Sequence, residues 1–414
     1  MDFLNKFNLK YKDIELDNGL KIKFIKKDGF VKKGCFLTVK FGSNHHRVLY
    51  KGKKINIKTG IAHAIEHKIY EVNSIDQFVE LTKMGCDANA YTTSNNTMYY
   101  FTTTNDIIKP LILTLDFIFN HKFDDSSVKR EIPIIIEEKY KRQSDIYYDY
   151  DYKLLEMLYK KEPLENTPLG HIRDIKSLTS SDLQIAYDIF YKPINMELLV
   201  VGELDFDQVL EKIKSYFSNF KFDLEKATII SKERNYKNKK VILKNRNIEI
   251  NKGQIGFKIL NPTIKDYYIF QALFYYMYST SCYPREYMIK NNLINNTLDA
   301  SVFYEKNFLY GIISIEDNNP EVMISNILKC LNNFDINEID EEDLECFKKY
   351  YLGGIYLLCD NYLSLAENIS ANFSSEYDFF KVLDLINTIS IDDIKKAFLK
   401  YKNSNKIKIF MKKH

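Results

Sequence analysis

Past about Lys240 the order of elements in this chain starts again, and that repetition limits what it can fold into more than any single motif does. In the first half, apolar and polar positions alternate around turn signals, as in LKIKFIKK after DNG and in GCFLTVKFGS, the period-2 pattern of antiparallel strands. From Thr59 the spacing becomes helical, with Ile61, Ala62, Ile65 and Ile69 recurring at three and four residues. A second helix is expected from Ser74, where Ser74 and Gln77 have capping-box spacing, to near Gly85. Strand character returns over 88–103, helices are expected at about 128–142 and 151–159, and MELLVVGELD reads as a closing strand. The second half repeats strands at 240–260, a long aromatic helix at 267–278, strands at 300–316 and then helices, with low residue identity to the first half. A length of 414 residues also exceeds what one hydrophobic core usually holds. Together these predict an α+β protein of two similar domains, 1–225 and 241–414, joined by a polar linker at 226–240.

Charge and cysteine usage exclude several function classes. Lys and Arg number 59 against 56 acidic residues, a net charge of +3, so nothing general favours nucleic acid or an anionic membrane as partner. The cysteines (Cys35, Cys86, Cys282, Cys330, Cys346, Cys359) are scattered without a CxxC pair, which argues against a thiolate metal site or a disulfide framework. They read as small core residues in a reducing compartment. The N-terminal residues lack an apolar run behind a basic start, and no segment reaches the roughly 20 uninterrupted apolar residues of a membrane span. A soluble, cytoplasmic protein is expected.

The strongest local signal is His63, Ala64, Ile65, Glu66, His67. On a helix, positions i and i+4 project from one face, so both imidazoles can reach one cation. Neutral imidazole is a preferred zinc ligand, and catalytic zinc usually has three protein ligands and an open position. Glu66 points near the same face, where it can accept a proton from a water on the metal without being a ligand. This is the inverted HxxEH pattern. Downstream, KREIPIIIEEKY carries Glu131 and Glu138 seven residues apart, about two turns along one helix face. A carboxylate there can complete a His, His, Glu set, and the other can act behind the ligands.

These residues resemble the M16 (insulinase or pitrilysin-like) metallopeptidases, in particular bacterial half-length members. The likeness runs through ordered blocks of the first half: Gly42 and Ser43, GIAHAIEH at 60–67, GCDANAYTT at 85–93, the glutamates at 131 and 138, PLGHIRDIKSLT at 168–179, and YKPINMELLVVGELD at 191–205. The resemblance implies two α+β domains, each a mostly antiparallel sheet with helices packed on one face, facing each other across a chamber that admits short unfolded peptides. It implies one Zn2+ per chain, held by His63, His67 and Glu138, with Glu66 catalytic and Glu131 supporting. Asn89, Ala90 and Tyr91 match the family's edge strand, which takes substrate backbone by strand addition. Two-domain members dimerise, so a partner chain is expected. Manganese or cobalt suits the same ligand set.

Two positions depart from the family pattern. Many members carry an Arg and a Tyr four residues apart in the C-terminal domain, which stabilise the oxyanion; in KNNLINNT those places hold Asn291 and Asn295. The economical inference is a heterodimer whose related companion supplies Arg and Tyr. Pro133 lies between the two glutamates, and a helix kink there would rotate Glu131 relative to Glu138. His45 and His46 read as loop residues and His171 as structural, while His121 and His414 carry no signal. Arg285 and the tyrosines of YYMYSTSCY and YYDYDYKLL read as packing or surface. The favoured function is an endopeptidase that matures a small gene-encoded peptide or clears leader fragments. Rival readings are a recognition or assembly subunit, which distortion at Pro133 would favour, and zinc hydrolysis of a non-peptide substrate.

Overall fold

The computed structural model describes residues 10–26, 28–29, 31–72, 75–232 and 234–413. The chain forms two compact units that are not continuous in sequence: 1–141 with 166–231 and 358–374, and 142–165 with 232–357 and 375–414. Each half thus lends a helical segment to the other unit. A division of the sequence at a 226–240 linker does not anticipate this exchange.

The first unit contains strands β1 (Lys10–Glu15), β2 (Lys21–Lys26), β3 (Lys33–Val39), β4 (Arg47–Tyr50), β5 (Lys53–Asn56), the short hairpin β6 (Glu71–Val72) and β7 (Ile75–Asp76), β8 (Cys86–Thr92), β9 (Thr97–Thr103), β10 (Met196–Val201) and β11 (Thr228–Ile229). Its main sheet has the order β1-β2-β10-β3-β9-β8, antiparallel except for the β2–β10 pair. The second unit contains β12 (Lys239–Asn245), β13 (Lys252–Ile259), β14 (Asp299–Glu305), β15 (Phe308–Glu316) and β16 (Ile407–Lys413), in the order β12-β16-β13-β15-β14. Again only one pair, β12–β16, is parallel. Reading inward from β2 and from β12, the two sheets have the same connectivity, so the repeated element order is a repeated topology.

The central strands of each sheet are buried on both faces, with alternate side chains turned to a main helical layer. In the first unit Cys35, Leu37 and Val39 of β3 join Leu198 and Val200 of β10 beneath the helices Ile61–Ile69 and Ser180–Phe190. In the second, Ile255, Phe257 and Ile313 face the helix Ile264–Tyr278, whose Thr263 and Asp266 form a capping box. The lent helices cover the opposite faces. Tyr150 and Leu154 of Ile146–Leu158 pack with Tyr310, Ile409 and Met411, where Gly256 leaves room for the Leu154 side chain. Ser370 of Tyr362–Ser374 meets Thr38 of β3 at 3.0 Å.

Ser74 lies outside the described residues; the described helix is Gln77–Lys83, capped by the Asp76 carboxylate accepting from Phe78 N–H. Part of the expected linker is docked, since β11 pairs with Val48 and Leu49 of β4. Among the described residues no helix is long and apolar enough to cross a membrane. Among the described residues the cysteines form no disulfide.

Candidate metal centre

The site begins at a tight junction of backbone. Gly60, at φ +85°, precedes the helix Ile61–Ile69. Gly170, at φ +69°, packs so closely on it that a Cβ there would stand 2.4 Å from Gly60 N. Only glycine meets both demands without strain. Thr59 fixes the same junction: its N–H and hydroxyl donate to Asp174 Oδ2 at 3.1 and 2.8 Å, and its Oγ1 accepts from His171 N–H at 2.8 Å. The GIAHAIEH and PLGHIRD blocks are therefore one structural unit.

From that helix His63 and His67 turn to one side, and Glu138 reaches them from the helix Asp125–Ser144. The two Nε2 atoms are 3.2 Å apart, and each is 3.4 Å from Glu138 Oε2. Among the described residues this is the one cluster of His, Cys or carboxylate groups suited to a metal. Four ligands around zinc at about 2.0–2.1 Å are separated by about 3.3–3.4 Å at tetrahedral angles. The three donor atoms thus already form the face of such a tetrahedron, and the residues present fit the ion.

Electrostatics favour a cation at the same point. Burial lowers the proton affinity of His67, but hydrogen bonds to Glu131 and Glu138 outweigh it and raise its pKa to about 9. Contacts with His63 and His67 hold the Glu138 carboxyl well below the usual carboxylate range. Surroundings that stabilise a proton on an imidazole also stabilise a metal ion in its place. Behind the triangle His67 Nδ1–H donates to Glu131 Oε1 at 2.9 Å, which leaves Nε2 as the lone-pair nitrogen in the neutral ring. His63 Nδ1 is buried and has no hydrogen-bond partner among the described residues.

Glu66 stands beside the triangle with its Oε2 accepting from Thr92 Oγ1 at 2.6 Å. Thr92 ends β8, the outermost strand of its sheet, which among the described residues pairs with β9 alone. Asn89 and Ala90 line a cavity with Glu66, His67, Tyr70 and Glu131. Tyr91 does not line it and stands edge-on to Tyr100. The expected strand is therefore next to the triangle, with two of its three named residues at the cavity lining.

Pro133 lies inside the continuous helix Asp125–Ser144, and the glutamates on either side of it, Glu131 and Glu138, both reach His67. His45 and His46 occupy a short 3-10 turn, Ser43–His46, where His45 is buried against Phe41 and Phe190 and His46 Nδ1 meets Asn166. His171 bonds Asn166, and His414 lies outside the described residues. In the second unit Asn291 donates to Tyr287 O and Asn295 to Glu316 O, while Arg285 is buried and donates to the carbonyls of Tyr278 and Asn296. The sequence reading missed Thr92 as a partner of Glu66, although it sits in the quoted GCDANAYTT block. It also missed Lys139, one residue past Glu138, whose ammonium donates to Gly170 O at 2.7 Å and ties the two helices to the glycine junction.

Residues 37–171 match the model of "Insulinase (Peptidase family M16)" and residues 177–350 that of "Peptidase M16 inactive domain". The chain is 24% identical over 392 residues, 92% of this chain and 91% of the relative, to the "Uncharacterized zinc protease YmfH" of Bacillus subtilis. It is 34% identical over 173 residues, 40% of this chain and 37% of the relative, to the mitochondrial-processing peptidase subunit beta of Saccharomyces cerevisiae. A protease from Helicobacter pylori superposes with a TM-score of 0.83 over 98% of this chain and 100% of its own, at 19% identity. The chain belongs to peptidase family M16, as a half-length member of two domains.

Proposed function

We propose that the chain is a zinc-dependent endopeptidase acting on short, unfolded peptides, with one metal held by His63, His67 and Glu138. The observation that carries this reading is the triangle of donor atoms with edges of 3.2, 3.4 and 3.4 Å beside a carboxylate that is not part of it. Zinc bound there would supply a Lewis acid for polarising a peptide carbonyl and a water. Glu66 takes the proton of the attacking water and passes it to the leaving amine. The Thr92 hydroxyl holds Oε2 of Glu66 in place while Oε1 is left for the proton. Glu131 keeps His67 in the tautomer that offers Nε2 forward. Strand β8 aligns an extended substrate by main-chain hydrogen bonds, so selection reads backbone extension.

The working enzyme is a heterodimer. Asn291 and Asn295, where other members carry Arg and Tyr, provide no charged or phenolic donor for an oxyanion, and a related companion supplies those groups. A relative among mitochondrial-processing peptidases is itself named as a subunit, which supports a shared assembly. The substrate class is a small gene-encoded peptide or its leader. The test is mass-spectrometric digestion of a pool of short peptides by the purified chain, with and without a candidate companion, and with Glu66→Gln as control. Cleavage that requires Glu66 and increases on adding the companion is expected. A chain that forms a stable homodimer with full activity overturns the heterodimer.

A further inference from the structure

On a helix the residue after His67 points about 100° away from it, so Lys68 faces the first turns of Asp125–Ser144, not the metal side. Its side chain is 4% exposed, and a buried ammonium is tolerated only when paired. Lys68 Nζ hydrogen-bonds Glu71 Oε2 and lies 3.3 Å from Glu131 Oε2, while Glu131 Oε1 holds His67 Nδ1. Glu71 Oε1 accepts from Ser127 Oγ at 2.9 Å and Arg130 Nη2 at 3.1 Å. Two cations and two carboxylates thus form a continuous chain of contacts from His67 across to the helix that carries Glu138.

We infer that Lys68, anchored by Glu71, is a positioning residue for the metal centre: it occupies the second oxygen of Glu131 so that this carboxylate serves His67 and cannot turn to the metal. With that oxygen released, Glu131 rotates. It then loses its aim at Nδ1–H or competes as a further oxygen ligand for the position that the reaction needs open. The inference rests on the metal-site reading proposed above.

Zinc affinity by chelator competition is measured on full-length wild type, Lys68→Met and Lys68→Arg. In the metal-free proteins the low-field Nδ1 proton resonance of His67 and urea stability are measured as well. Lys68→Met is expected to weaken zinc about 10- to 100-fold and to lose the resonance, and Lys68→Arg to restore both to within a few-fold. If Lys68→Met does not fold, Glu71→Gln, which unties the same ammonium, is expected to weaken zinc several-fold. Unchanged zinc affinity and an unchanged resonance in a folded Lys68→Met or Glu71→Gln, with or without lost stability, overturns the inference. A wild type that binds no zinc overturns the metal reading instead, and the resonance still decides whether Lys68 positions Glu131.

Discussion

The hydroxyl of Thr92 donates to Glu66 Oε2 across 2.6 Å, linking the last residue of the open strand β8 to the carboxylate beside the histidine triangle. A hydrogen bond to a charged acceptor is worth about 1.5–3 kcal/mol. Thr92→Val keeps the shape and removes the donor. It is expected to lower kcat about 10- to 100-fold while leaving zinc content and KM nearly unchanged, because the Thr92 hydroxyl meets Glu66 and Thr97 and not the metal donors. Steady-state kinetics on one peptide, with metal analysis of the same sample, checks this.

Gly170→Ala attacks the junction from behind. The new Cβ meets Gly60 N at 2.4 Å and sits on a backbone with φ +69°, strain of about 1–3 kcal/mol before the overlap is counted. The expected result is a lower Tm together with weaker metal retention, since Gly60 starts the helix that aims both histidines.

His121 gives the first unit an acid sensitivity. It is buried against Phe123 and Tyr187 with Nδ1 unpartnered among the described residues. Burial, helped by the charge of Lys68, lowers its pKa to about 4. The unfolded state, with an ordinary value near 6.5, therefore binds more protons between those limits, so stability is full above pH 6.5 and falls as pH drops toward 4. Roughly 2 kcal/mol of the loss between pH 7 and 5 belongs to this group. Urea unfolding at the two pH values should show that part removed in His121→Phe.

Lys258 and Glu162 form an ion pair in the second unit with both side chains 1% exposed, and the ammonium also lies 4.7 Å from the Tyr159 ring centre. Removing one partner leaves a buried charge, at a cost of about 3–5 kcal/mol, whereas replacing both by apolar residues is close to neutral. Glu162→Leu alone should unfold at much lower urea than Glu162→Leu combined with Lys258→Met.

The pair His63 and His67 was legible because helix geometry alone brings them together, and the seven-residue step from Glu131 to Glu138 put both carboxylates on one face; the choice of Glu138 over Glu131 as third donor came from the resemblance to the M16 family, not from the spacing. The repeat was legible as an order of elements because period-2 and period-3.6 patterns survive loss of residue identity. What periodicity does not carry is the surface on which an amphipathic helix lands, and so the exchange of 142–165 and 358–374 between units could not be read. Nor does it weigh Pro133 against the rest of its helix. Tertiary contacts through Ile135 and Lys139, both buried, outweigh one lost backbone hydrogen bond. Thr92 went unnoticed because a threonine on a strand is ordinary until the helix opposite it is known.

The most direct measurement is the zinc content of the purified chain and of Glu138→Gln, after dialysis against a weak chelator. The account predicts about one zinc per wild-type chain and strongly reduced occupancy in Glu138→Gln, with its fold retained by circular dichroism. Equal zinc in both proteins would contradict the assignment of Glu138 as the third ligand, and no zinc in either would contradict the metal centre itself.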